Sequence, residues 1–311
     1  MKLEQFGQKI CDALKETMGA EYETIFREVI KNNGVCLHSI VIAGKGSNIS
    51  PAIYIDELYE EYEAGRAFGD IIYDILCIYQ RHAKGINAHM DMEFFTQFER
   101  VKDRILYKLI HRDSNQKLLE DVPHLDWNDL ALVFYYAFEG GRLSNASILI
   151  RNNHLTMWKQ DVNVVYENAR SNMLRLRPEE LLPIQQIIRE VMAQEGKKGA
   201  GQEIQLSTGC EAAMKGDSLM YVLSNRQRMF GAATLLYARS VKELADKLNK
   251  NLIILPSSIH EVLLVPDDGV TEKEFFKEMV KDVNDTQVEP EERLSYNVYH
   301  YDRVSGKISI L

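Results

Sequence analysis

The stretch Leu252-Ile253-Ile254-Leu255-Pro256-Ser257-Ser258-Ile259-His260-Glu261-Val262-Leu263-Leu264-Val265-Pro266 decides the fold. Two short strand-like runs, 252–255 and 261–265, flank a turn-rich centre, and neither has the length of an ordinary helix. Strands that follow each other this directly pair antiparallel, because a parallel neighbour needs a long crossover. Helical stripes lie on both sides. Ser240-Val241-Lys242-Glu243 has the form of a capping box before Leu244, Ala245 and Leu248. Thr271-Glu272-Lys273-Glu274 opens in the same way onto Phe275, Phe276, Met279, Val280 and Val283. Strands near Val298–Tyr301 and Lys307–Ile310, around Asp302-Arg303-Val304-Ser305-Gly306, predict a closing hairpin.

Working upstream, strands are expected at 219–223 and 231–237. The stretch Gln194-Glu195-Gly196-Lys197-Lys198-Gly199-Ala200-Gly201-Gln202 carries three glycines and little apolar content. It predicts a linker or mobile loop over 195–218, between an N-terminal α+β domain (1–194) and a C-terminal α+β domain (219–311). Helical stripes precede it at Val162, Val165, Tyr166, Ala169 and Met173, and at Ile184, Ile187, Ile188, Val191 and Met192. Strands are expected at 105–110, 130–138 and 147–151, and a helix over about 91–102. Phe68, Ile71, Ile72, Ile75, Leu76 and Tyr79 form the strongest helical pattern in the chain. Leu3, Phe6, Ile10 and Leu14 predict a first helix. Tyr22, Ile25, Phe26, Val29 and Ile30 predict a second, stopped by Asn32-Asn33-Gly34 before a strand at 35–43. The sum is an α+β fold: mostly antiparallel sheets, helices packed on one face, and a mainly helical N-terminal third.

Composition sets the outer limits. The chain has 311 residues, with 37 Lys+Arg against 46 Asp+Glu, a net charge of −9. Its 45% hydrophobic content is globular usage and excludes a largely disordered chain. The acid excess argues against sequence-independent binding of nucleic acid, which needs clustered Lys and Arg. The run Leu130–Phe138 falls well short of the roughly 20 residues that span a bilayer, so no membrane is expected. The N-terminus has no apolar stretch of secretory type. Cys11, Cys36, Cys77 and Cys210 form no Cys-x-x-Cys pair, which fits free thiols and a cytoplasmic location.

The chemical motifs are incomplete. Gly44-Lys45-Gly46-Ser47 follows a strand but departs from the phosphate-loop spacing, so no cofactor is expected. His260-Glu261-Val262-Leu263-Leu264 has Leu264 where a zinc-protease motif needs its second histidine. The acid run Asp56, Glu57, Glu60, Glu61 and Glu63 reads as the solvated face of a helix whose N-terminus favours negative charge, and no metal site is expected. Ser257, Ser258, His260 and Glu261 share one loop and, with His154, are the weak candidates for catalysis. Hydroxyls in such turns more often bond the local backbone. His154 and Trp158 meet at a strand-to-helix turn, where a ligand contact or plain packing would both account for them. Arg170, Arg175, Arg177 and Arg189 would be the basic residues of a nucleic-acid surface.

Four segments carry a resemblance. They are Asn48-Ile49-Ser50-Pro51-Ala52-Ile53-Tyr54-Ile55, Ile148–Trp158, Leu255–Pro266 and Val283-Asn284-Asp285-Thr286-Gln287-Val288-Glu289-Pro290-Glu291-Glu292. Through them the chain resembles the family named domain of unknown function 5688, found in clostridial bacteria, from about Asn33 to the C-terminus. The order of elements is also similar to that of the YtpQ-like proteins of bacilli. The resemblance implies a bacterial cytoplasmic protein and brings no activity, cofactor or catalytic residue with it. The expected function is then a non-catalytic accessory or regulatory protein that binds a protein partner or self-associates. Tyr59, Tyr62, Phe68 and Trp158 are its expected binding residues, and alanine at the first three is expected to weaken partner capture without unfolding. The alternative is a hydrolase-type enzyme built from the 154 and 257–261 loops.

Overall fold

In the computed structural model of the protein, apolar side chains three and four residues apart wind Leu3–Met18 into a first helix (α1) that buries Phe6, Ile10 and Leu14. The structure describes residues 1–45, 50, 52–86, 93–138, 146–195 and 220–311. They gather in two units, one running from Met1 to Thr96 and the other comprising Gln97–Phe138 and Ala146–Leu311.

In the first unit Tyr22–Ile30 is a strand (β1), not the expected helix. It pairs along its whole length with Cys36–Gly44 (β2), from Tyr22 opposite Gly44 to Ile30 opposite Cys36. Asn33 (φ 59°) and Gly34 (φ 70°) supply the left-handed geometry that turns one strand into the next, so the Asn-Asn-Gly signal closes a hairpin rather than capping a helix. Ala52–Tyr54 (β3) completes a three-stranded antiparallel sheet, so the N-terminal third is mixed. Asp56–Glu63 (α2) and Phe68–Ile86 (α3) follow. Ile40, Ile42 and Ile53 of the sheet, Ile55 beyond β3, and Ile71, Ile75 and Tyr79 of α3 bury themselves with α1 in one core.

The second unit holds two antiparallel sheets. Phe98–Val101 (α4) leads into Ile105–His111 (β4), followed by Gln116–Leu119 (α5), His124–Trp127 (β5), Leu130–Ala137 (β6) and Ser147–Leu149 (β7). The predicted 91–102 helix is thus broken, with α4 standing between 3₁₀ turns at Glu93–Thr96 and Lys102–Arg104. β6 is buried at every residue and pairs with β4, β5 and β7. Then come Asn152–Trp158 (α6), Val162–Leu176 (α7), Glu179–Pro183 (β8) and Ile184–Glu195 (α8). Tyr221–Asn225 (β9), Arg239–Leu248 (α9), Leu252–Ser258 (β10), Glu261–Pro266 (β11), Lys273–Thr286 (α10), Tyr299–Tyr301 (β12) and Ile308–Ile310 (β13) complete the chain. The larger sheet runs β13-β12-β10-β11-β9-β8. β10 and β11 form the hairpin that the 252–266 stretch predicts, with Leu252 opposite Pro266.

Three expectations change here. The predicted boundary at 195–218 does not divide the chain, because β8 before it pairs with β9 after it, Glu179 opposite Asn225. Residues 196–218 themselves, like Gly46 and Ser47 of the glycine loop, lie outside the described residues. Residues 231–236, expected as a strand, form a 3₁₀ helix. A Cβ built on Gly231 would lie 2.1 Å from Ser224 Oγ and 2.4 Å from the His260 carbonyl oxygen, so only glycine lets the chain pass this close to β9. Neither capping box operates as predicted. The N-terminus of α9 is held by Glu179, which accepts from Arg239 N–H (3.1 Å), Ser240 N–H (3.3 Å) and Ser240 Oγ (2.7 Å). Ahead of α10, Thr271 N–H and Oγ donate to Asp268, each at 2.8 Å.

Candidate functional site

The predicted site residues are dispersed. His154 lies in the first turn of α6, where its Nδ1 accepts the Arg151 N–H at 3.0 Å and its ring packs 5.7 Å from Trp158. Burial and the neighbouring Arg151 hold His154 below the usual histidine range, against the opposing pull of Asp121. Trp158 is buried and also packs on Phe98. Tyr59, Tyr62 and Phe68 ring Phe6, at 5.3, 5.0 and 6.1 Å between centroids. All three are half-buried at the edge of the first unit's core. They pack, and alanine in their place would loosen that core.

The 257–261 turn is built for its own backbone. Ser258 Oγ accepts the His260 N–H at 3.0 Å, and the chain bulges between Pro256 and Ser258. His260 Nδ1 accepts the Phe230 N–H at 3.1 Å, so a neutral ring carries its proton on Nε2, 3.5 Å from Glu292 Oε1. Phe230, in the left-handed region at φ 55°, stacks on the His260 ring at 5.5 Å. Asn225 braces the neighbouring 225–229 turn that leads to Phe230, its Nδ2 donating to the Met229 carbonyl at 2.9 Å. Burial raises the Glu261 carboxyl above its ordinary range, although Arg228 and His260 pull the other way. His154 bonds Arg151 and packs on Trp158, whereas His260 bonds Phe230 and faces Glu292, and among the described residues the hydroxyl of Ser258 is bonded to the His260 N–H rather than to its ring.

A polar cluster that the sequence did not reveal lies at the β5–β6 turn. Asp129 is buried and accepts from Ser295 Oγ (2.6 Å), Tyr299 OH (2.7 Å) and Asn297 Nδ2 (2.9 Å). Burial alone would raise its carboxyl, but these bonds outweigh it and hold the group below the usual range. His111 Nε2 stands 3.9 Å from Asp129 Oδ2, while its Nδ1 lies 2.7 Å from Ser114 Oγ. The partners sit more than 160 residues away in sequence from Asp129, which hides the cluster from any local pattern.

A concave surface of the second unit lies elsewhere. A groove of about 410 Å³ is lined by Arg170 and Leu174 of α7, the Leu235–Arg239 segment, Val241 of α9, Tyr301 of β12 and Ile308 of β13. Asp161 caps α7 by accepting Asn163 N–H at 2.7 Å, and the four-residue spacing then puts Arg170 and Leu174 on one outward face. The opposite wall is tied down twice, by the Glu179 bonds to α9 and by Tyr237 OH donating to the Arg177 carbonyl at 2.7 Å. Among the described residues no carboxylate lines the groove, and neither Arg170 nor Arg239 forms an ion pair. The nearby Asp246 is already held by Lys242 and Arg303. Of the four arginines considered for nucleic acid, only Arg170 reaches this surface: Arg177 is buried, Arg175 donates to the Asp103 carbonyl, and Arg189 donates to Gln185. The i, i+4 pair Arg170/Leu174 was the one local sign of the groove.

Among the described residues no helix is long and apolar enough to cross a membrane. No curated protein and no solved structure matches the chain. A family model does match, over residues 3–303, and that span takes in the whole of both units except the first two and last eight residues. The chain therefore belongs to the family of unknown function DUF5688.

Proposed function

We propose that this protein is a non-catalytic accessory or regulatory factor of the cytoplasm that binds a protein partner. The groove between α7, α9 and β13 carries the reading: it is concave, lined by apolar and polar groups together, and edged by two arginines without an ion pair among the described residues. Leu174 stands 58% exposed on its rim, in the way of an interface residue awaiting cover. Cys11, Cys36 and Cys77 are free thiols, which supports a reducing compartment. The test is photo-crosslinking from position 174 in cells that encode the protein. A discrete adduct that disappears when Arg170 and Arg239 are both changed to Glu is expected, with no adduct from the control position Val164. Equal labelling from the two positions would remove the groove as the binding surface.

One observation favours hydrolysis as a second reading. Ser114 Oγ, His111 and Asp129 stand in the order of a nucleophile, a base and its orienting acid. Against it, the same His111 Nδ1 also accepts the Ser114 N–H at 3.3 Å, and Asp129 is already filled by three donors. Labelling of Ser114 by a fluorophosphonate, lost in His111→Ala, would support this reading, and absence of labelling would end it.

A further inference from the structure

The β12–β13 hairpin leaves one edge of the larger sheet open beside the groove. Antiparallel pairing alternates, so that residues bonded to their partner are followed by residues that turn away from it. Leu311 N–H donates to Val298 O and Asp302 N–H donates to Lys307 O, each at 2.9 Å. With Ser309 opposite His300, those two bonds fix the phase: Ser309 faces β12, while Ile308 and Ile310 turn their N–H and C=O groups to the outside. β13 is the last strand of its sheet, and among the described residues nothing pairs with that edge. Ile308 opposes Tyr301, and both line the groove.

We infer that the groove takes an extended, carboxylate-bearing peptide segment of a partner protein, which adds as a strand to β13 and turns alternate acidic side chains towards Arg170 and Arg239. The inference rests on the partner-binding reading and gives that partner its chemistry. Main-chain bonds to Ile308 and Ile310 would supply affinity, and the period of two along a strand would bring every second side chain over the groove. Charge decides between acidic and basic segments. In a chain of net charge −9, this lining has two arginines and no acid among the described residues, so it attracts the sign that the rest of the surface repels.

The probe is a fluorescein-labelled synthetic peptide that alternates Glu and Val, titrated by anisotropy beside the same peptide with Lys for Glu. Saturable binding of the acidic peptide alone is expected. Arg170→Glu with Arg239→Glu should weaken it by about tenfold or more, since each exposed pair contributes a factor of up to about five. Rising salt should weaken it as well. Ile310→Pro removes an outward N–H that no sheet bond uses, so the fold should stand while binding is lost. Ile308→Pro tests the same point independently if the first variant disturbs tryptophan fluorescence. Binding of neither peptide, equal binding of both, or binding untouched by a folded proline variant would overturn the inference. Sedimentation that shows a dimer broken by Ile310→Pro would assign the edge to a second copy of this chain instead. A position-174 adduct with a partner lacking an acidic extended segment would refute this inference and leave the partner-binding reading intact.

Discussion

Replacing Asp129 with asparagine removes one charge from a buried site and reverses one edge of a hydrogen-bonding group. Oδ1 serves Tyr299, and Oδ2 serves Ser295 and Asn297. An asparagine can offer its oxygen to only one side, and its amino group meets donors on the other. At least one buried donor is then left unmatched, at about 1–3 kcal/mol. The surviving bonds also fall from charged to neutral strength, a further loss of about 1 kcal/mol. Relief from burying a charge returns part of this, so the net loss is about 2–3 kcal/mol at pH 7. The pH dependence has a definite sign. The folded-state pKa of Asp129 is depressed, so its stabilisation is complete above the unfolded value of about 3.9 and fades as pH falls through the folded value. The gap between wild type and Asp129→Asn should therefore be constant from about pH 5 upward and close in acid. Urea unfolding followed by tryptophan fluorescence measures it, because Trp127 and Trp158 both lie in the second unit and Trp127 packs 5.9 Å from Tyr299. A loss below about 0.5 kcal/mol, or a gap that widens in acid, would refute the view that these bonds hold the β5–β6 turn to β12.

Other consequences can be checked on the same unfolding curves. Glu179→Ala strips the N-terminus of α9 of its cap and should cost about 1 kcal/mol, with Glu179→Gln losing less; equal losses would show that the carboxylate acts through charge alone. Gly231→Ala should cost about 1–3 kcal/mol, since its methyl group meets Ser224 and the His260 carbonyl; adding Ser224→Ala should recover only the Ser224 share, because the backbone contact persists. The raised pKa of Glu261 means that this group withdraws stability as pH climbs from its unfolded value through its folded one. Glu261→Gln should thus be more stable than wild type at neutral pH and lose that advantage near pH 4, and the opposite trend would place the carboxylate in a compensated site.

Much of the fold was legible because single elements carry their own period. Phe6, Ile10 and Leu14, or Ile71, Ile75 and Tyr79, can share a buried face only on a helix. The misread strand shows where that logic ends. Tyr22, Ile25, Phe26, Val29 and Ile30 fit a helix by spacing, yet they also carry the aromatic and β-branched character of a strand. Pairing with β2 over the full nine residues of β1 settles the matter, because backbone bonds made to a partner outweigh a weak local preference. The same limit applies to residues 231–236, whose conformation follows from the close approach of Ser224 and His260 to Gly231.

The sites were less legible, for a related reason. The chain by itself determined an α+β protein with antiparallel pairs, the hairpin at 252–266 and the absence of complete cofactor or metal motifs, since each is written within a short window. Only tertiary structure decided that Ser258 spends its hydroxyl on a backbone N–H, that Glu179 caps a helix sixty residues away, that Asp129 gathers three donors from the far end of the chain, and that Arg170 and Arg239 face one groove. Hydrogen bonds and charge pairs depend on distance in space, and composition and spacing carry no record of which distant residues a fold brings together.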